Sequence, residues 1–162
     1  MQKGYDLLHR YSCSLTPSNN YVFTTSLGIE YSVAFSEANV HFLNYPGFIA
    51  EISFYPLQGN SMAFDNKIRN TIVYLIVQFL ESNPENALIF ICDVTDHKHV
   101  ARNKLFQRWF YKFNKGTFQK FDSEIHITDQ VVYYNSLIIH TGNPFKYQLL
   151  QSYAQALELY NK

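Results

Sequence analysis

The chain has 162 residues, 47% of them hydrophobic and 17% aromatic, with 13 basic and 13 acidic side chains and no net charge. That length predicts a single α+β domain, residues 1–162, with a core of useful size. The aromatic content favours β-rich structure and argues against disorder. The opening residues lack the apolar core of a secretory leader, and the longest apolar run, IVYLIVQFL, is too short to span a bilayer. A cytoplasmic protein with no membrane contact is therefore expected, and Cys13 and Cys92 suggest neither a disulfide framework nor a zinc motif.

In chain order, YVFTTSLGIEYSVAFS predicts two strands, 21–26 and 29–36, joined at Leu27-Gly28, where glycine supplies the positive φ of a tight hairpin. FIAEISFYP predicts a third strand over 48–56, closed by Pro56. Asp65 has the chemistry of an N-cap, and Ile68, Ile72, Leu75, Ile76 and Phe79 follow at helical spacing, so a helix is predicted to about Ser82. ALIFICD, 87–93, is a continuous apolar run, as in a strand covered on both faces. Asp96 is the expected cap of a second helix reaching about Asn114, with Phe106, Trp109, Phe110 and Phe113 on its inner face. Strands over 118–127 and 130–141 follow, then Asn143-Pro144 as the start of a helix to about Tyr160. The order β-β-β-α-β-α-β-β-α predicts one mixed, largely antiparallel sheet with helices on its faces.

Chemistry concentrates in DVTDHKHVAR, residues 93–102, at the carboxyl end of the most buried strand, where open α/β sheets bind ligands. His97 and His99 are two apart, about 200° around a helix, so they do not share a metal ion from one, and no metal site is expected. Arg102 points with Phe106, Trp109 and Phe113, His99 leans to that side, and Arg69 falls in the apolar arc of the preceding helix. Arginines on core-facing sides need carboxylate partners or a cavity, and Asp65, Asp93 and Asp96 are the carboxylates within reach in the chain. Two readings stand: an ion-pair network tying both helix starts to the strand end, or an anion- or ligand-binding pocket built from Arg69, Asp93, Asp96, His99 and Arg102. No catalytic residue is nominated.

Residues 97–120 carry seven basic side chains and no acid, leaving six basic against thirteen acidic elsewhere. Lys104, Arg108, Lys112 and Lys115 form an outer stripe, interleaved with aromatics, which fits either a solvated helix face or a surface for nucleic acid or an acidic partner. Ser61 lies in GNSMA, which lacks the last glycine of a nucleophile elbow and is read as loop. His140 is expected to be structural.

FDNKIRNTI followed by ICDVTDHKHVARNKLFQRWF resembles a small family of uncharacterised bacterial proteins, over most of the chain; that resemblance implies no activity. The element order is also similar to the GNAT acyltransferases from their second strand to their seventh, with the last helix an addition. That resemblance implies an acyl-CoA pyrophosphate loop at Gln58, Gly59, Ser61 and Ala63, with Ser61 where the family has glycine. It also places Phe106 where the family often has a tyrosine acid, without the hydroxyl. The expected function is a non-catalytic binding or interaction module with no cofactor. The alternative is an acyl-CoA-dependent N-acyltransferase using acetyl-CoA, and the third reading is nucleic-acid or acidic-partner binding through 97–120. The 13 tyrosines suggest an association surface for a protein partner or a second copy.

Overall fold

The computed structural model describes residues 9–39, 42, 44–58, 64–92 and 94–161. Its elements are β1 (Ser14–Leu15), β2 (Tyr21–Thr24), β3 (Glu30–Glu37), β4 (Ile49–Pro56), α1 (Asn66–Ser82), β5 (Ala87–Cys92), α2 (His99–Phe113), β6 (Phe118–Thr128), β7 (Val131–His140) and α3 (Lys146–Tyr160). The expected order is observed, with the two-residue strand β1 ahead of it. The strands form one open sheet in the order β1-β2-β3-β4-β5-β7-β6. Every neighbouring pair is antiparallel except β4–β5. Among the described residues no helix is long and apolar enough to cross a membrane.

Local chemistry accounts for the boundaries. In the β2–β3 hairpin, Gly28 takes φ 76° and donates its N–H to the Thr25 carbonyl at 2.9 Å. Asp65 caps α1, its Oδ1 accepting from the Ile68 N–H at 2.7 Å while its Oδ2 accepts the Tyr11 hydroxyl proton at 2.6 Å. The segment before β1 is strapped onto α1: the Tyr11 N–H donates to Thr71 Oγ1 at 2.9 Å, and Asn70 Nδ2 donates to the His9 carbonyl at 3.0 Å. The other two helices start later than expected. Asn143 accepts the Phe145 N–H at 2.8 Å, so Asn143-Pro144-Phe145 is a turn that leads into α3 rather than its first residues.

Alternation along β5 and β7 builds two cores, one on each face of the sheet. Leu88, Phe90, Cys92 and Ile138 meet α1 and α2, where Ile68, Ile72, Leu80, Phe106 and Trp109 are buried. Ala87, Ile89, Leu137 and Ile139 face the other way, onto Leu149 and Tyr153 of α3. This double burial is why Ala87–Cys92 reads as an unbroken apolar run. Cys92, 1% exposed, serves as a small apolar filler there.

Candidate functional site

The junction between β5 and α2 is more local in its chemistry than the sequence suggests. Asp93 lies outside the described residues. Val94 to His97 close a turn, the His97 N–H donating to the Val94 carbonyl at 3.0 Å, with His97 in the left-handed region at φ 57°. That conformation interrupts the helical path, so α2 begins at His99 and the expected capping role of Asp96 is not observed. Lys98 stands at the N-cap without a side-chain cap bond. Asp96 instead accepts the Lys98 N–H at 3.1 Å and the Arg102 Nη1 at 2.7 Å. Desolvation pushes the Asp96 carboxyl up, but that N–H and that guanidinium together outweigh it and hold the group below its ordinary value.

Arg69 and Arg102 are not brought together. Arg102 sits in the first turn of α2, its side chain 30% exposed beside Asp96. Arg69 donates from Nε and Nη2 to Asn70 Oδ1 at 3.2 and 3.1 Å and covers the ring of Phe113, the last residue of α2, at 5.2 Å. Arg102 and Phe113 are about 16 Å apart along the axis of that helix. Asp65 is committed to the Ile68 N–H and to Tyr11. His99 is half-buried and stacks on Tyr134, centroids 5.9 Å apart, with its Nδ1 buried and without a hydrogen-bond partner among the described residues. His97 is exposed, and among the described residues no group of three or more His, Cys, Asp or Glu could hold a metal ion.

Gln58 is exposed in the bend after β4, whereas Gly59, Ser61 and Ala63 lie outside the described residues. Phe106 is a core residue, 4.5 Å from the Phe90 ring and 5.7 Å from Phe54. Lys104, Arg108, Lys112 and Lys115 are all exposed. His140 accepts the Gly142 N–H on Nδ1 at 2.9 Å and packs edge-on against Phe118.

The larger opening lies on the opposite side of the sheet. β4 and β5 pair at Ile49↔Ala87, Ala50↔Leu88 and Glu51↔Ile89, and the ladder stops there although both strands continue. Phe54, Phe90, Phe106 and Trp109 fill the gap on the α1/α2 face. On the α3 face a cleft of about 350 Å³ opens, walled by Ile89, Ile91, Ile125 and Leu157, with Glu51, Tyr133 and Tyr160 presenting polar groups. Within it the Tyr153 hydroxyl donates to Asn135 Oδ1 at 2.6 Å and lies 2.8 Å from Ser123 Oγ. Burial chiefly, with the nearby Asp122 charge adding to it against the Ser123 hydrogen bond, pushes Tyr153 up to about 12. It is therefore a fixed neutral group at ordinary pH. No hydrogen bond or ion pair engages the Glu51 carboxylate among the described residues. By contrast, the apolar void of about 60 Å³ between α1, α2 and the sheet has one polar neighbour, Asn114, whose amide is spent on the Phe118 backbone at 2.8 and 3.1 Å. It is a packing defect without a group to orient a ligand.

The model of a family of unknown function, DUF6169, matches residues 64–155, from the entry to α1 into α3. The chain belongs to DUF6169. No curated protein and no solved structure matches it. The DUF6169 match spans the β5–α2 junction and the Tyr133, Asn135 and Tyr153 side of the cleft, while Glu51 lies before it.

The sequence reading missed this cleft. One signal was present: Asn135, 7% exposed, sits inside an apolar strand. A polar residue at a core register demands a partner, and here the partner is Tyr153.

Proposed function

We propose that this DUF6169 chain is a binding domain whose ligand occupies the cleft between the parted strands and α3. One observation carries the reading: a largely apolar cleft whose one carboxylate, the exposed Glu51, has no partner among the described residues. Its volume of about 350 Å³ is within the range of small-molecule sites. Isoleucine and leucine walls select an apolar body, the fixed Tyr153–Asn135 pair gives a rigid floor, and Glu51 favours a cationic or donor head. The test is a thermal-shift screen pairing phenylpropylamine with its carboxylate counterpart, phenylpropionate. The amine is expected to raise Tm by roughly 5–10 °C at a hundredfold excess over Kd, the acid not at all, and Glu51→Gln to remove the response. Equal responses to both compounds, or an undiminished response in Glu51→Gln, contradict the reading.

A second reading, an acyl-CoA-dependent N-acyltransferase of GNAT-like layout, is favoured by the strand order with β4–β5 as its parallel, parting pair. Beyond Glu51 the inner edge of β4 leaves backbone groups unpaired with β5, which suit an extended amide-bearing chain such as the pantetheine arm of acetyl-CoA. Burial of Phe106 among aromatics, where the resemblance places an acid, counts against it. A Tm rise with acetyl-CoA that free adenine nucleotides, which lack the pantetheine arm, fail to reproduce would favour this reading over the first.

A further inference from the structure

We propose that the outer ridge of α2 is a contact surface for single-stranded nucleic acid, independent of the cleft on the other face of the sheet. Lys104, Arg108 and Lys112 recur every four residues, so they climb one flank of the helix with a rise of about 6 Å between neighbours, comparable to the separation of successive phosphates along an extended strand. Lys115 continues the line just past the helix end. All four are exposed, and among the described residues none forms an ion pair; Lys112 lies over the Phe113 ring at 5.6 Å. Ion pairs on this sheet face join other residues: Asp96 with Arg102, and on β6, Asp122 with Lys120.

Like charges four apart on a helix oppose its stability, so folding does not account for the stripe. Nor does folding account for Tyr111. Phe106 and Trp109 are buried by the core, whereas Tyr111, though edge-on to Phe110 at 6.0 Å, is 80% exposed, within about 20° of the Lys104 direction around the helix axis. A bare aromatic face among unpaired cations matches the two demands of a single strand: phosphates to neutralise and an unstacked base to cover. An acidic peptide would use the cations and have no need of the ring, and a duplex keeps its bases stacked away from it.

The experiment is fluorescence anisotropy with a labelled 12-residue oligothymidylate and oligouridylate, beside a blunt duplex of equal length and polyglutamate. Binding is expected for both single strands, weakening with salt at a log–log slope of about −2 to −3, since each phosphate contact contributes roughly −0.7. Arg108→Glu should weaken it at least tenfold and Tyr111→Ala about tenfold, while Lys146→Glu, the same charge change away from the ridge, stays within twofold. Circular dichroism confirms that these surface variants fold. Absent binding at low salt, preference for the duplex, unchanged affinity in Arg108→Glu, or equal binding of polyglutamate with no effect of Tyr111→Ala would each overturn the proposal.

Discussion

Single side chains decide how firmly the cleft is built. Tyr153 bridges α3 to β6 and β7, so Tyr153→Phe leaves Asn135 Oδ1 buried without its donor at a cost of about 1–3 kcal/mol. Its raised pKa has a definite sign. The folded state holds the proton more tightly than the unfolded chain, so the contribution is complete below the ordinary tyrosine value of 10.0 and is lost as pH rises through about 12. Denaturant midpoints of wild type and Tyr153→Phe should therefore converge across that interval; a constant gap would remove this role. Gly47 shows the opposite constraint, lack of space. A Cβ there would collide with the Glu85 carbonyl, which also accepts the Tyr45 hydroxyl proton, and with the Tyr45 ring. Because the obstacle is backbone, Gly47→Ala should lower stability by about 1–3 kcal/mol in the same assay. Both constraints escape a reading of the sequence, because each joins residues far apart in the chain.

At the scale of elements, the strands and helices were legible where one period dominates. The β2–β3 hairpin follows from Gly28, and the double-faced burial of β5 follows from its unbroken apolar run. Helix starts were less legible because the cap competes with the turn before it. Asp96 has the right chemistry for a cap, yet left-handed His97 closes a separate turn and Asp96 bonds Lys98 and Arg102 instead. With side chains 30% and 46% exposed, that ion pair is worth less than about 1 kcal/mol. The backbone of His97 matters more. His97→Val, β-branched at positive φ, should cost about 1 kcal/mol or more, and His97→Gly nothing. Thermal unfolding of the two variants checks this, and equal losses would show that the side chain, not the backbone, sets the turn.

Over the whole molecule, the sheet separates two surfaces of different character. The α2 side carries an exposed basic ridge over an aromatic core, and the α3 side carries an apolar cleft with a single carboxylate. The basic ridge was legible, since its residues are neighbours in sequence. The cleft was not: Glu51, Ile91, Tyr133 and Tyr153 come from four elements, and no periodicity within one segment states which sheet face α3 covers. The same logic explains Arg69 and Arg102. Angular position on each helix can be read from periodicity, but which residues of different helices come together is set by packing. The central claim, that the cleft holds a ligand through Glu51, is tested most directly by calorimetric titration of phenylpropylamine into wild type, Glu51→Gln and the cleft-filling Leu157→Trp. Saturable binding to wild type with at least tenfold loss in both variants is predicted; equal affinity in all three, or none in wild type, would contradict the account.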